Sequence, residues 1–118
     1  MKTRILSALF ILGVSSLTLF AGNKTEKFKV AGNCGMCEAR IEKAAKSVDG
    51  VSEADWNQET RMIEVTFDTS LTDLGAIHKA IAEAGHDTVQ CSASDEVYEE
   101  LPACCKYERM AVDKSSGS

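Results

Sequence analysis

Apolar and polar positions along the first half of the chain predict a strand followed by a helix. Phe28 and Val30 alternate with lysines, which is typical of a half-buried strand. A glycine-bearing loop follows, and from Cys37 to Val48 the apolar positions recur every three to four residues. This spacing predicts an amphipathic helix that ends near Gly50.

The next forty residues predict a hairpin, a second helix and a last strand. Residues 51–56 and 61–67 each have the composition of a strand, and a polar turn separates them. Apolar positions at helical spacing predict a helix over 74–84, and residues 87–91 have the pattern of a short strand. The order βαββαβ is that of a ferredoxin-like α+β sandwich, with a four-stranded antiparallel sheet and two helices on one face.

The first 21 residues have the pattern of an export signal. Lys2 and Arg4 precede an apolar run that ends at Ala21, before a polar stretch. A basic start followed by an apolar run of this length is typical of a secretory signal peptide. We therefore expect cleavage after Ala21, export to the periplasm or cell envelope, and no membrane insertion afterwards. An uncleaved N-terminal anchor is the alternative.

Composition and charge indicate a globular domain and exclude one class of function. The 118 residues include 13 Lys and Arg against 18 Asp and Glu, which gives a formal net charge of −5. Removal of residues 1–21, which carry two basic residues, changes this to −7. Because phosphate contacts need clustered basic side chains, the balance excludes a nucleic-acid binder. A content of 44% hydrophobic residues is that of a globular domain.

The five cysteines are an odd number, so they cannot all pair within one chain. Residues 24–92 form the predicted domain, with Cys34 and Cys37 between its first strand and first helix. Residues 93–118 form a cysteine-containing extension whose end, from Ser115, we expect to be disordered. Three cysteines stand at the end of the domain or beyond it: Cys91, Cys104 and Cys105.

Cys34 and Cys37 are the residues with the most distinctive chemistry. Two intervening residues let both sulfurs converge on one point, and the N–H groups and dipole of a helix N-terminus stabilise a thiolate. Paired thiolates prefer soft ions such as Cu(I), Hg(II), Cd(II) or Zn(II). Two ligands suit linear Cu(I) or Hg(II) and fall short of the four that a closed zinc site requires. We therefore expect this pair to bind a soft metal.

Other interpretations of the pair remain open. In an oxidising compartment the two thiols can form a plain disulfide, act as a redox motif or be inert. A thioredoxin-like domain is longer and normally has a proline facing its cysteines, whereas the only proline here is Pro102. The motif's position and the strand order favour metal binding. An exported thiol–disulfide redox protein is the second hypothesis, and an exported interaction module with structural cysteines is the third.

Taken together, these features resemble the heavy-metal-associated (HMA) domain. The resemblance covers about residues 26–92: a strand, a Cys-x-x-Cys loop, a helix starting at the second Cys, Gly50-Val51 before a hairpin, and a second helix ending in Ala84-Gly85-His86. The family includes copper chaperones, modules of metal-pumping P-type ATPases and exported mercury-binding proteins. It implies that Cys34 and Cys37 are the two metal ligands and that the metal passes between proteins by ligand exchange, without enzymatic catalysis.

The resemblance also bears on the metal and the partner. Asn33 stands where zinc-selective relatives often carry an acidic residue, which favours Cu(I); Hg(II), Zn(II) and Cd(II) are the alternatives. The expected partner is a metal-transporting ATPase or another envelope metal-binding protein. We expect a monomer, with a metal-bridged dimer as the alternative. The family's Gly-Met-Thr before the first Cys is Ala31-Gly32-Asn33 here, so the Met that packs beneath the loop is missing.

Several further side chains are candidates near the metal. The loop before the last strand brings His86 to the edge of the Cys-x-x-Cys loop, where it is either a third ligand or a solvated histidine. Cys104 and Cys105 either add a metal or redox function or provide a structural disulfide with Cys91. Met36 is expected to be an apolar cover for the loop, with a weak thioether ligand as the alternative. His78 is expected to be a surface residue.

Overall fold

The computed structural model describes residues 22–110. The predicted signal peptide over 1–21 and the serine-rich end from Ser115 lie outside these residues. The elements are β1 (Asn23–Lys29), α1 (Gly35–Lys46), β2 (Val51–Trp56), β3 (Met62–Asp68), α2 (Leu74–Glu83), α3 (Asp95–Glu99) and a 3₁₀ turn (Ala103–Cys105). None of the helices within 22–110 is long and apolar enough to cross a membrane.

The central strand of the sheet is β3, which pairs antiparallel with β1 on one side and β2 on the other. Trp56 at the end of β2 lies opposite Ile63 of β3. The turn between these strands is held by Asn57, whose Oδ1 accepts the N–H groups of Glu59 (2.8 Å) and Thr60 (2.9 Å). The predicted hairpin is therefore present. Helix α1 packs on both β2 and α2.

The four-stranded sheet of the sequence prediction is not confirmed, because the described chain has three strands and one isolated bridge, between Val30 and Thr88. Thr88 starts a tight turn. Its N–H donates to the Cys91 carbonyl (2.8 Å), and its hydroxyl accepts the N–H groups of Gln90 (3.1 Å) and Cys91 (3.0 Å). Since these groups are paired within the turn, they do not extend a ladder beside β1.

The hydrophobic core lies between the sheet and the two longer helices. Many of its apolar side chains come from the predicted inward positions, although Trp56 and Tyr107 do not, and burial of each large one stabilises the fold by about 1.5–3 kcal/mol. The residues that are at most 1% exposed include Val30, Ile41, Trp56, Ile63, Val65, Ile77 and Ile81.

Residues 93–110, here called the C-terminal arm, fold back onto the domain. Ser94 caps α3 by accepting the Val97 N–H at 3.2 Å. Leu101 is buried against Gly85, whose φ of +111° favours glycine; a Cβ there would lie 2.9 Å from a Leu101 methyl carbon. This packing returns the arm to the side of the domain that carries the Cys-x-x-Cys loop.

Candidate metal centre

The Cys-x-x-Cys loop joins β1 to α1. Cys34 is the N-cap residue of α1, and its carbonyl accepts the Glu38 N–H at 3.1 Å. The helix begins at Gly35, so the expectation that it starts at the second cysteine was wrong by two residues. Cys37 lies in the first helical turn, where its side chain is fully buried, and its sulfur accepts the Asn33 N–H at 3.3 Å. Cys34 is half-buried.

The loop rests on Trp56. The indole Nε1 donates to the Val30 carbonyl at 3.1 Å, and the ring lies so close to Gly32 that a Cβ there would be 3.0 Å from Cζ2. On the other side, Arg61 Nε donates to the Gly32 carbonyl at 2.9 Å, and Gln58 Nε2 to the Asn33 carbonyl at 3.0 Å. Trp56 and the hairpin turn thus support the Cys-x-x-Cys loop.

Four cysteine sulfurs lie together at the top of this loop. Cys34 Sγ is 3.6 Å from Cys37 Sγ, 3.0 Å from Cys104 Sγ and 3.8 Å from Cys105 Sγ. Cys37 Sγ is 2.7 Å from Cys105 Sγ. All of these cysteines are free thiols. The C-terminal arm therefore places its two adjacent cysteines directly against the Cys-x-x-Cys pair.

These contacts change the acidity of the thiols. The hydrogen bond between Cys34 and Cys104 is the main reason that the pKa of Cys34 falls to about 6, and the Cys37 N–H adds to the effect. The contact with Cys34 raises the pKa of Cys104, and burial is the main cause that raises the pKa of Cys105. The lowered pKa favours the thiolate form of Cys34 at neutral pH, in contact with the arm.

His86 is fully buried beside the sulfurs, so the alternative of a solvated histidine was wrong. Its Nδ1 is 2.9 Å from the Ala31 carbonyl, to which it must donate, so the neutral ring carries its proton on Nδ1. The other nitrogen, Nε2, is buried without a hydrogen-bond partner. A ligand atom of His86 and the Cys37 and Cys105 sulfurs all lie within 4.8 Å of one another. Burial lowers the pKa of His86, which keeps the Nε2 lone pair free.

The remaining candidates fall in different places. Met36 is 56% exposed, and its sulfur lies 3.6 Å from Cys104 Sγ, at the outer rim of the cluster. His78 is 1% exposed, so the expectation of a surface residue was wrong: its ring stacks on Phe28, with centroids 3.8 Å apart. Cys91 lines a separate cavity on the α2 side, and no disulfide joins it to the arm among the described residues.

Two side chains fix the arm in this position. Tyr107 is buried; its hydroxyl donates to the Gly85 carbonyl (2.6 Å) and accepts the Asp87 N–H (2.9 Å), and its ring stacks on His86. Asp87 is fully buried and accepts two hydrogen bonds from Arg109, at 2.8 and 3.0 Å. Burial alone would raise the pKa of Asp87, but the hydrogen bonds outweigh it and the pKa is lowered.

Comparison with known proteins agrees with this fold. The model of the family "Heavy-metal-associated domain" matches residues 27–87. The mercuric transport protein periplasmic component of Shewanella putrefaciens is 39% identical over 87 residues, which cover 73% of this chain and 93% of that protein. The copper chaperone CopZ of Staphylococcus aureus is 35% identical over 57 residues, 48% of this chain and 84% of that protein. The chain therefore belongs to the heavy-metal-associated domain family.

Solved structures give the same result. The chain is similar to a CopZ metallochaperone, with a TM-score of 0.54 and 34% identity over 56% of this chain and 100% of that one. It is also similar to the water-soluble region of the P-type ATPase CopA of Bacillus subtilis, with a TM-score of 0.55 and 34% identity over 59% of this chain and 47% of that one. The family match ends at residue 87, so Cys104 and Cys105 lie beyond it.

Sequence reasoning missed the residues that hold the centre together. Trp56 was assigned only to a strand, and Tyr107 and Arg109 were not singled out. Trp56 is the only tryptophan, and its place at a strand end beside the loop was the one available indication. The contacts of Tyr107 with Gly85 and Asp87 span about twenty residues and have no periodic pattern.

Proposed function

We propose that this protein binds a soft metal ion through Cys34 and Cys37 and passes it on by ligand exchange. The observation that carries the proposal is the approach of the two sulfurs to 3.6 Å at the start of α1, in a loop within the residues that match the family. The pKa of Cys34 is lowered and its side chain is more accessible than that of Cys37, so Cys34 is the first ligand to engage an incoming ion. No covalent chemistry on a substrate is involved, and the protein is not an enzyme.

Cu(I) is the favoured ion, and Hg(II), Zn(II) and Cd(II) are the alternatives. Sulfur and imidazole donors prefer soft ions. Among the described residues, no carboxylate belongs to the two groupings that contain these cysteines. The loop residue Asn33 contributes its N–H to Cys37 Sγ rather than a charge. Relatives named as copper chaperones support Cu(I), and those named as mercuric transport proteins support Hg(II).

His86 is the side chain best suited to add a nitrogen ligand. Its Nδ1–H is held by the Ala31 carbonyl, as a second hydrogen bond commonly orients a ligating histidine. The free Nε2 is buried, and a ring nitrogen of His86 lies within 4.8 Å of the Cys37 sulfur. We therefore include His86 in the ligand set of the loaded protein.

The cell envelope is the proposed location, because the N-terminal pattern is that of an export signal and the relative from Shewanella putrefaciens is named a periplasmic component. A metal-transporting ATPase or another envelope metal-binding protein is the proposed partner. Similarity to the soluble region of a P-type ATPase supports this choice, since two domains of one fold can exchange an ion between matching loops. The protein is proposed to act as a monomer, and a metal bridge between two copies is the alternative.

A titration of the reduced protein with Cu(I) and with Hg(II), against a competing chelator, tests the proposal. The wild type should bind one equivalent tightly, and Cys34→Ser with Cys37→Ser should abolish this binding. Cys91→Ser is the matched control, because Cys91 lies away from the cluster. Unchanged stoichiometry and affinity in the double variant would refute the proposal, and insulin reduction at a useful rate would favour the redox alternative.

A further inference from the structure

Cys105 is shared by the two groupings of potential ligands that contain cysteine. One grouping contains Cys34, Cys104 and Cys105, and the other contains Cys37, His86 and Cys105. Cys105 is also 0% exposed, although it lies in an arm outside the matched family residues. Cys105 thus packs against both cysteines of the loop. Neither the family match nor any relative's name gives this thiol a function.

The separations of the sulfurs suit a third thiolate. Metal–sulfur bonds of about 2.3 Å place sulfurs around one ion about 3.8–4.0 Å apart. The distances of Cys34 Sγ to Cys37 Sγ and to Cys105 Sγ are already 3.6 and 3.8 Å. The first of these pairs must widen by a few tenths of an ångström, and the 2.7 Å contact between Cys37 and Cys105 by about 1.2 Å, which is within the range of small side-chain rotations.

The arm that carries Cys105 is fastened on both sides of this residue. On its N-terminal side Leu101 is buried against Gly85, and on its C-terminal side Tyr107 and Arg109 bond to Gly85 and Asp87. Within the 3₁₀ turn, the Cys105 N–H donates to the Pro102 carbonyl at 2.8 Å. These contacts hold the Cys105 sulfur against the loop.

We propose that Cys105 is a third thiolate ligand, so that the C-terminal arm closes the metal site as a latch. This inference rests on the proposed function and extends it: the loop captures a Cu(I) or Hg(II) ion, and the arm retains it in a three-sulfur site. On binding, the Cys105 thiol loses its proton to solvent and its sulfur bonds to the ion. Release to a partner requires the arm to give up that bond to an incoming thiolate, which leaves Cys34, Cys37 and His86 as the remaining ligands from this protein.

X-ray absorption spectroscopy of the protein produced from the full-length sequence tests the latch. It is purified without oxygen, confirmed to hold five free thiols and loaded with one equivalent of Hg(II), and in parallel with Cu(I). The wild type should show three sulfur neighbours per ion and Cys105→Ser two, with release to a chelator at least about tenfold faster in the variant. Cys91→Ser should keep three sulfurs and the wild-type rate.

Two sulfur neighbours in the wild type for both ions would overturn the latch, as would an unchanged count and release rate in Cys105→Ser. The wild-type count decides the question even if the variant folds poorly. Failure of the latch is distinct from failure of the proposed function. In the first case one equivalent of metal still binds and is lost with Cys34 and Cys37; in the second, that double variant binds metal as the wild type does.

Discussion

The buried carboxylate of Asp87 receives the guanidinium of Arg109 through two hydrogen bonds, Nε to Oδ2 at 2.8 Å and Nη2 to Oδ1 at 3.0 Å. The same carboxylate also accepts the N–H groups of Ala93 and Met110. One side chain, next to His86 in the sequence, therefore joins both ends of the C-terminal arm to the domain.

Asp87→Asn should destabilise the protein by about 3 kcal/mol, because it leaves a guanidinium and two N–H groups facing an amide in a buried site. Chemical denaturation measures this loss. The control is Asp95→Asn, since Asp95 contacts the same arginine at 3.2 Å but its side chain is 96% exposed. That variant should change stability by less than about 0.5 kcal/mol. Equal effects of the two substitutions would show that the arm is not fixed by Asp87.

Because of His78, the free energy of unfolding should decrease as the pH is lowered. Burial lowers its pKa from 6.5 to about 4. Since the folded pKa lies below the unfolded value, the folded state binds fewer protons; the contribution is complete above pH 6.5 and declines as pH falls toward 4. Between pH 7.5 and 5 the loss should be about 2 kcal/mol.

Chemical denaturation of the wild type and of His78→Gln at a series of pH values isolates this effect. Glutamine does not titrate, and its side-chain oxygen can still accept from the Thr88 hydroxyl, which lies 2.7 Å from His78 Nδ1 in the wild type. The difference in unfolding free energy between wild type and variant should shrink or reverse as the pH falls. A constant difference over this range would contradict the prediction.

Gly32→Ala should displace the Cys-x-x-Cys loop. A Cβ at this position would meet two atoms of the Trp56 ring at 3.0 and 3.1 Å and Cys37 Cβ at 3.2 Å, all within a packed core. We expect a loss of about 1–3 kcal/mol and a shift in the fluorescence of the single tryptophan. Gly35→Ala, three residues along, would meet nothing within 4 Å and should be neutral or slightly stabilising. The prediction fails if both alanines behave alike.

His86→Ala should remove a nitrogen neighbour from the metal in X-ray absorption spectra of the loaded protein. The reason is that Nε2 has no other partner in its buried position. His78→Gln serves as the matched control because His78 is equally buried but bonds to Thr88. Identical first-shell scattering in the wild type and His86→Ala would exclude the imidazole from the site.

Local patterns account for the parts of the fold that the sequence predicted. Alternation around Phe28 and helical spacing after Cys37 gave β1 and α1, because each pattern depends on neighbours within a few residues. The last strand was over-extended because Thr88 favours both strands and tight turns, and its hydroxyl decides for the turn. The offset of α1 arose because Cys34, which lacks a side-chain cap, is the N-cap residue.

The centre itself was predictable only in part. The chemistry of Cys34 and Cys37 follows from their spacing, and the topology alone brought His86 to the same edge. Cys104 and Cys34 are 70 positions apart in the sequence, so no local pattern could predict the contact between them. His78 was misplaced for the same reason, since its partner Phe28 comes from β1.

The most direct test of the account is the metal content of the protein isolated without oxygen from the cell envelope of an organism that carries it. We predict one equivalent of a soft ion per chain, copper in the first place, which is absent when Cys34 and Cys37 are both serine. Metal-free protein whose Cys34 and Cys37 are joined in a disulfide, under conditions where the envelope contains the metal, would contradict the account.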